Sequence, residues 1–157
     1  MIEQIYTYFS IENIYMWLNI GVIPFWFMLL FFPNTKICRF FVTSIFPILI
    51  FASINLYVIY EIYKTGFDLF NIFNLYLGFD ELLNLFSEEN YIILFWIHFL
   101  AINLFCGCWI VRDYIKIGMP KFLAFFPLII TYFIGPLGLF LYWIFRIFFN
   151  KKIDLYD

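Results

Sequence analysis

Long apolar runs without charged residues, separated by short polar stretches, dominate the sequence of 157 residues. Four of these runs exceed the roughly 20 residues that a helix needs to cross about 30 Å of hydrocarbon. We therefore predict four transmembrane helices, over about residues 13–32, 40–63, 89–112 and 122–149. Little of the chain is left for other structure, so we expect one all-α membrane domain over residues 1–157, an integral four-helix bundle.

The segment 67–86 has a different pattern, because its polar residues recur every three or four positions. These positions are Asp68, Asn71, Asn74, Gly78, Glu81 and Asn84. Such spacing is typical of an amphipathic helix. We predict that this segment lies on the membrane surface between the second and third transmembrane helices, broken or bent at Gly78.

Composition supports a multi-pass membrane protein: 66% of the residues are hydrophobic, 13% are charged and the mean hydropathy is +0.95. The net charge of −2 and the scattered basic residues argue against nucleic acid as a partner. We therefore expect membrane lipids and other membrane subunits as partners. The abundance of Phe, Tyr, Ile and Asn, which AT-rich codons encode, suggests an organelle inner membrane, mitochondrial or plastid, or a bacterial cytoplasmic membrane.

Several helices carry proline or glycine where these residues affect packing. Pro24 and Pro47 fall inside predicted helices 1 and 2, where each removes a backbone donor and kinks the helix. Within ITYFIGPLG, residues 130–138, Pro136 leaves the Tyr132 carbonyl without its helical donor. Close approach of a neighbouring helix at the glycines of this motif is one interpretation, and a ligand seated there is the other.

The third helix carries polar residues within WIHFLAINLFCGCWIVRD, residues 96–113. Because His98 is the only histidine and the nearby cysteines face other directions, we predict no metal site. His98 is the catalytic candidate, as a proton handler. In the alternative interpretation it is structural and bonds across helices. The candidates for packing and interhelical hydrogen bonds are Asn55, Asn103, Gly107, Gly135, Pro136 and Gly138. Gly118 and Pro120 predict the end of the third helix, and we expect its last turns, with Asp113, to project into water.

Four stretches of the chain, in order along the sequence, resemble those of a known family. They are PFWFMLLFFPN (24–34), LFSEENYIILFWIHFLAINLF (85–105), GCWIVRD (107–113) and TYFIGPLGLFLYWIFR (131–146). They are similar to the abscisic-acid-deficient-four-like family, the neoxanthin-synthase-like membrane proteins. The resemblance implies a small four-helix membrane protein that is linked in plants to converting violaxanthin to neoxanthin, an epoxide-to-allene rearrangement of a carotenoid.

The chain departs from the family pattern at two positions of the third helix. The family pattern has aspartate where this chain has Asn103, and arginine where it has Cys108. A carboxylate and a guanidinium at these positions could form an intramembrane ion pair, and their joint loss leaves no uncompensated charge. The resemblance therefore implies the same fold, whereas chemistry that used the pair would be lost.

Two functions follow from these observations. The first is a non-catalytic accessory subunit of a respiratory or photosynthetic membrane complex, because the residues contain no nucleophile with a base and no pair of buried carboxylates. The alternative is a carotenoid-modifying membrane protein or its auxiliary. No cofactor is predicted from the residues, and a bound molecule would be a lipid or a carotenoid.

Overall fold

The computed structural model describes residues 9–64, 66, 73–74 and 76–149, and within these residues it is all-helical. The helices are α1 (Ile11–Phe31), α2 (Lys36–Phe41), α3 (Phe46–Lys64), α4 (Phe79–Phe86), α5 (Glu89–Lys116), α6 (Lys121–Phe133) and α7 (Gly135–Phe149). Three stretches are long and apolar enough to cross a membrane: Ile11–Phe31, Lys36–Lys64 and Glu89–Lys116. These stretches support the prediction of a membrane protein.

The chain divides into two compact units. Unit 1 comprises Met1–Gly21 and Ile48–Phe99, and unit 2 comprises Val22–Pro47 and Leu100–Asp157. The core of unit 1 is aliphatic, with Leu18, Val58 and Ile97 almost fully buried. The aromatic side chains of Phe51 and Tyr91 are also buried in this core.

The second long stretch differs from the continuous helix predicted over 40–63. It begins as the short helix α2, which Thr35 caps by accepting a hydrogen bond from the Cys38 amide. The hydroxyls of Thr43 and Ser44 then bond backbone carbonyls one turn earlier, and the helix is interrupted at residues 42–45. Pro47 therefore lies in the first turn of α3, where a missing amide costs no helical hydrogen bond.

Helix α5 ends where its sequence predicts a stop. Gly118 has a φ of +68°, the left-handed conformation that glycine adopts without steric cost. The Met119 amide donates to the Tyr114 carbonyl at 2.9 Å and closes the last turn. The chain can thus reverse immediately after α5 and begin α6 at Lys121.

The segment 122–149, predicted as one helix, is a hairpin of two helices. The helical hydrogen bonds end at Ile134, because Pro136 has no amide hydrogen to donate to Tyr132. The chain reverses so sharply that Gly138 of α7 lies against the backbone of Thr131 in α6. Helices α6 and α7 therefore pack on each other and do not continue one another.

Contacts with α5 show in which direction each arm of the hairpin, α6 and α7, runs. Asn103 in the middle of α5 contacts Gly135 at the start of α7, and Asp113 contacts Arg146 near the end of α7. Helix α7 consequently runs parallel to α5. Helix α6 begins just after α5 ends and finishes beside Asn103, where Tyr132 meets that side chain. It therefore runs in the opposite direction.

Only part of the predicted surface segment 67–86 can be compared with the structure. Helix α4 begins directly after Gly78, the residue at which a break was predicted, and only Leu85 of its eight residues is buried. Residues 67–72 and 75 lie outside the described part of the chain.

Candidate functional site

A buried ion pair joins α5 to α7 in unit 2. The Arg146 Nε donates to Asp113 Oδ2 at 2.7 Å, and its Nη2 donates to Oδ1 at 3.4 Å. The Tyr142 hydroxyl donates to the same Oδ2 at 2.6 Å. We refer to Asp113, Tyr142 and Arg146 as the Asp113 cluster.

The prediction that Asp113 projects into water is wrong. It is 9% exposed, and its partners Tyr142 and Arg146 are 0% and 1% exposed. The hairpin is the physical reason, because it lays α7 along the last turns of α5 and covers the carboxylate. Arg146 was the signal in the sequence: it is the only charged residue of 122–149, and a lone cation in an apolar run needs a buried partner.

Tryptophan side chains pack around the Asp113 cluster. Trp109 and Trp143 are stacked, with ring centroids 6.4 Å apart and an interplanar angle of 8°. Trp109 also meets the ring of Tyr142 edge-on at 5.8 Å. The Arg146 guanidinium carbon lies 5.0 Å from the centre of the Trp143 ring, a cation–π distance. These rings hold the cluster in one arrangement.

A cavity of about 850 Å³ lies beside this cluster in unit 2. Asp113 lines it together with the aromatic rings of Phe105 and Trp109. Three basic side chains, Arg39, Arg112 and Lys116, line the same cavity. An apolar wall combined with a few charged groups is the usual composition of a small-molecule site.

Asn103 is 2% exposed and bridges the tip of the α6–α7 hairpin to α5. Its Nδ2 donates to the Tyr132 carbonyl at 3.2 Å, the carbonyl that Pro136 leaves without a helical donor. Its Oδ1 accepts from the Gly135 amide at 3.2 Å. One side chain thus replaces the two backbone hydrogen bonds that the tip lacks.

The three glycines among the packing candidates all lie at close helix contacts in unit 2. A Cβ at Gly107 would lie 2.7 Å from Trp26 Cη2, closer than real side chains approach. A Cβ at Gly135 would meet the amide oxygen of Asn103, and one at Gly138 would meet the Thr131 backbone. No side chain larger than hydrogen fits these contacts without movement.

His98 is not part of the Asp113 cluster. It belongs to unit 1, where its side chain is exposed on the surface of α5. Asn55, half-buried on α3, also belongs to unit 1. The buried Trp96 Nε1, two residues before His98, has no hydrogen-bond partner among the described residues.

Positions 103 and 108 contact different segments. The Cys108 thiol donates to the Val42 carbonyl at 3.4 Å, whereas Asn103 bonds the hairpin tip. Five positions along a helix amount to about 140° around its axis. This arrangement argues against an ion pair between these two positions. Within the described residues, no three His, Cys, Asp or Glu side chains are close enough to hold a metal ion.

Comparison with curated proteins and with solved structures returns no match. Comparison with protein families returns a match to the family described as ABA DEFICIENT 4-like, over residues 13–142. The matched range includes Asn103, Asp113 and Tyr142, and ends before Arg146. It confirms the resemblance seen in the sequence. The chain belongs to the ABA DEFICIENT 4-like family.

Proposed function

We propose that this chain modifies a carotenoid in the membrane, by rearranging the epoxide end group of a xanthophyll such as violaxanthin to an allene. The match to the ABA DEFICIENT 4-like family is the observation that carries the proposal. It favours this function over an accessory role in a respiratory or photosynthetic complex, for which the structure and the comparisons offer no support.

The proposed reaction is an isomerisation and needs no oxidant or reductant. One C–O bond of the epoxide breaks, the oxygen takes a proton, and the adjacent polyene carbon loses a proton. The electrons of that C–H bond form the new double bond of the allene. The site must therefore supply one proton acceptor and one proton donor.

The Asp113 side of the cavity suits these two requirements. Asp113 is the only carboxylate among the described residues of unit 2 and lines the cavity, so it is our candidate proton acceptor. The Lys116 ammonium lines the same cavity and can give a proton to the epoxide oxygen, which an arginine cannot do because it stays protonated. Arg146 balances the charge of Asp113 and, with Tyr142, fixes its orientation. Trp109 gives the end ring an apolar wall.

We also propose a membrane topology that differs from four crossings. Helices α6 and α7 have 13 and 15 residues, fewer than a crossing needs, and they fold back on each other. They would form a re-entrant hairpin that enters and leaves on one face, tolerated because α5 satisfies the backbone of its tip. The long stretches would make three crossings, so the start of α1 and the end of α7 would lie on opposite faces.

The test of the function is expression of the full chain in a carotenoid-producing bacterium that accumulates violaxanthin and makes no neoxanthin. We expect an allenic product with the mass of the substrate, separated by chromatography. Asp113→Asn should abolish the product, and Tyr142→Phe should reduce it. His98→Ala should change it less than two-fold, and loss of product in that variant would move the active site to His98. Wild-type protein that is present and folded in the membrane but forms no allene would refute the proposal.

A further inference from the structure

Unit 2 carries a strong excess of positive charge. Its described basic residues are Lys36, Arg39, Arg112, Lys116, Lys121 and Arg146, against the single carboxylate of Asp113. That carboxylate bonds Arg146. Among the described residues of unit 2, the only carboxylate is therefore already paired with an arginine.

Three of the other five basic side chains converge on one cavity. Arg39 comes from α2, and Arg112 and Lys116 come from the end of α5, yet all three line the cavity beside Asp113. All three residues are exposed. The nearby acceptor for the Arg39 guanidinium is the Asn34 carbonyl at 3.5 Å, at the limit of a hydrogen bond. The exposed guanidinium groups of Arg39 and Arg112 are available to an anion from outside the chain.

Most of the other side chains that line the cavity are apolar. They include Phe105, Trp109, Ile115 and Leu139. A free inorganic anion would leave this wall uncovered, whereas an anion attached to a hydrocarbon chain would cover both surfaces. Basic residues at the end of membrane-crossing helices attract anionic lipids, with about 1 kcal/mol for each Lys or Arg near the surface.

We propose that this cavity binds one anionic glycerophospholipid, with its phosphate between Arg39 and Arg112 and an acyl chain along Phe105 and Leu139. The inference is independent of the proposed carotenoid chemistry. At about 850 Å³ the cavity is near the upper end for a single small-molecule pocket. A cavity of this size holds the phosphate and the first part of an acyl chain.

The test is native mass spectrometry of the purified full chain, titrated with phosphatidylglycerol. We expect one phosphatidylglycerol to bind at least ten-fold more tightly than phosphatidylcholine. Arg39→Gln and Arg112→Gln should each weaken binding about five-fold, the equivalent of about 1 kcal/mol. Lys36→Gln is the matched control, because it removes the same charge from the same short helix but does not line the cavity. It should change binding less than two-fold.

Three results would overturn the inference. Equal binding of the two lipids would show that charge is not recognised. A loss in Lys36→Gln as large as in Arg39→Gln would show diffuse attraction to the surface. Displacement of phosphatidylglycerol by millimolar inorganic phosphate would identify a free anion as the ligand. None of these results depends on carotenoid conversion, so the two proposals fail separately.

Discussion

The Arg146 Nε and the Asp113 Oδ2 lie 2.7 Å apart and are both buried, although 33 positions separate these residues in the sequence. The pair fixes the register of α7 along α5, because no other carboxylate among the described residues of unit 2 could take its place. The same contact turns Asp113 from a residue of a water-exposed helix end into part of a cavity wall.

Removing one partner of this pair should destabilise the protein strongly. Arg146→Gln leaves Asp113 without its counter-charge, and we expect a loss of about 3–5 kcal/mol in the free energy of unfolding. Unfolding in mixed detergent micelles, followed by circular dichroism, measures this loss. The double variant Asp113→Asn with Arg146→Gln should lose less than the sum of the two single variants, because it leaves no isolated charge. Additive losses would contradict a direct interaction.

Both hydrogen bonds of the Asn103 side-chain amide should contribute to the free energy of unfolding. Asn103→Leu leaves the Tyr132 carbonyl and the Gly135 amide without partners, and we expect a cost of about 1–3 kcal/mol for each. Asn103→Asp introduces the residue that the family pattern has here. A protonated aspartic acid can still donate to one group and accept from the other, so this variant should be the more stable of the two. The same unfolding measurement ranks them, and equal stability would argue against the bridge.

Glycine substitutions should distinguish two effects on stability: that of the close contact inside the hairpin and that of helix propensity. Gly138→Ala places a methyl group against the Thr131 backbone, which must shift, and we expect a loss of about 1–3 kcal/mol. Gly21→Ala is the matched control, since its Cβ would meet no atom within 4 Å. It should gain about 0.5–1 kcal/mol from better helix propensity. Similar effects at both positions would show that the close packing of α6 on α7 is absent.

A re-entrant hairpin predicts which face of the membrane each loop occupies. Reporter fusions after Gly118 and after the last residue should report the same face, whereas a single crossing by 122–149 would put them on opposite faces. The described basic residues near the ends of the proposed crossings support one orientation. Five of them, Lys36, Arg39, Arg112, Lys116 and Lys121, follow α1 or lie around the end of α5, whereas Lys64 ends α3. By the positive-inside rule, the Gly118 reporter should lie on the cytoplasmic face or its organellar equivalent.

Hydrophobic patterning predicted the helical class, the long apolar stretches and the stop at Gly118, because these depend on local sequence and on the length of a crossing. The same patterning predicted one helix over 122–149. The length and hydrophobicity of an apolar run do not show whether the chain crosses the membrane once or reverses within the run. The reversal at Ile134 depends on Asn103 of another helix. The position of Asp113 could not be predicted without that reversal.

The contact between Asn103 and the hairpin tip also bears on the order in which the protein is made. Neither arm of the hairpin is long enough to be stable alone across the bilayer, and the tip exposes backbone groups until Asn103 reaches them. Synthesis delivers α5 before α6 and α7. Under the proposed re-entrant topology, we therefore expect Asn103 to be in the membrane before the two arms emerge, and docking of the hairpin to complete the cavity wall late in biogenesis.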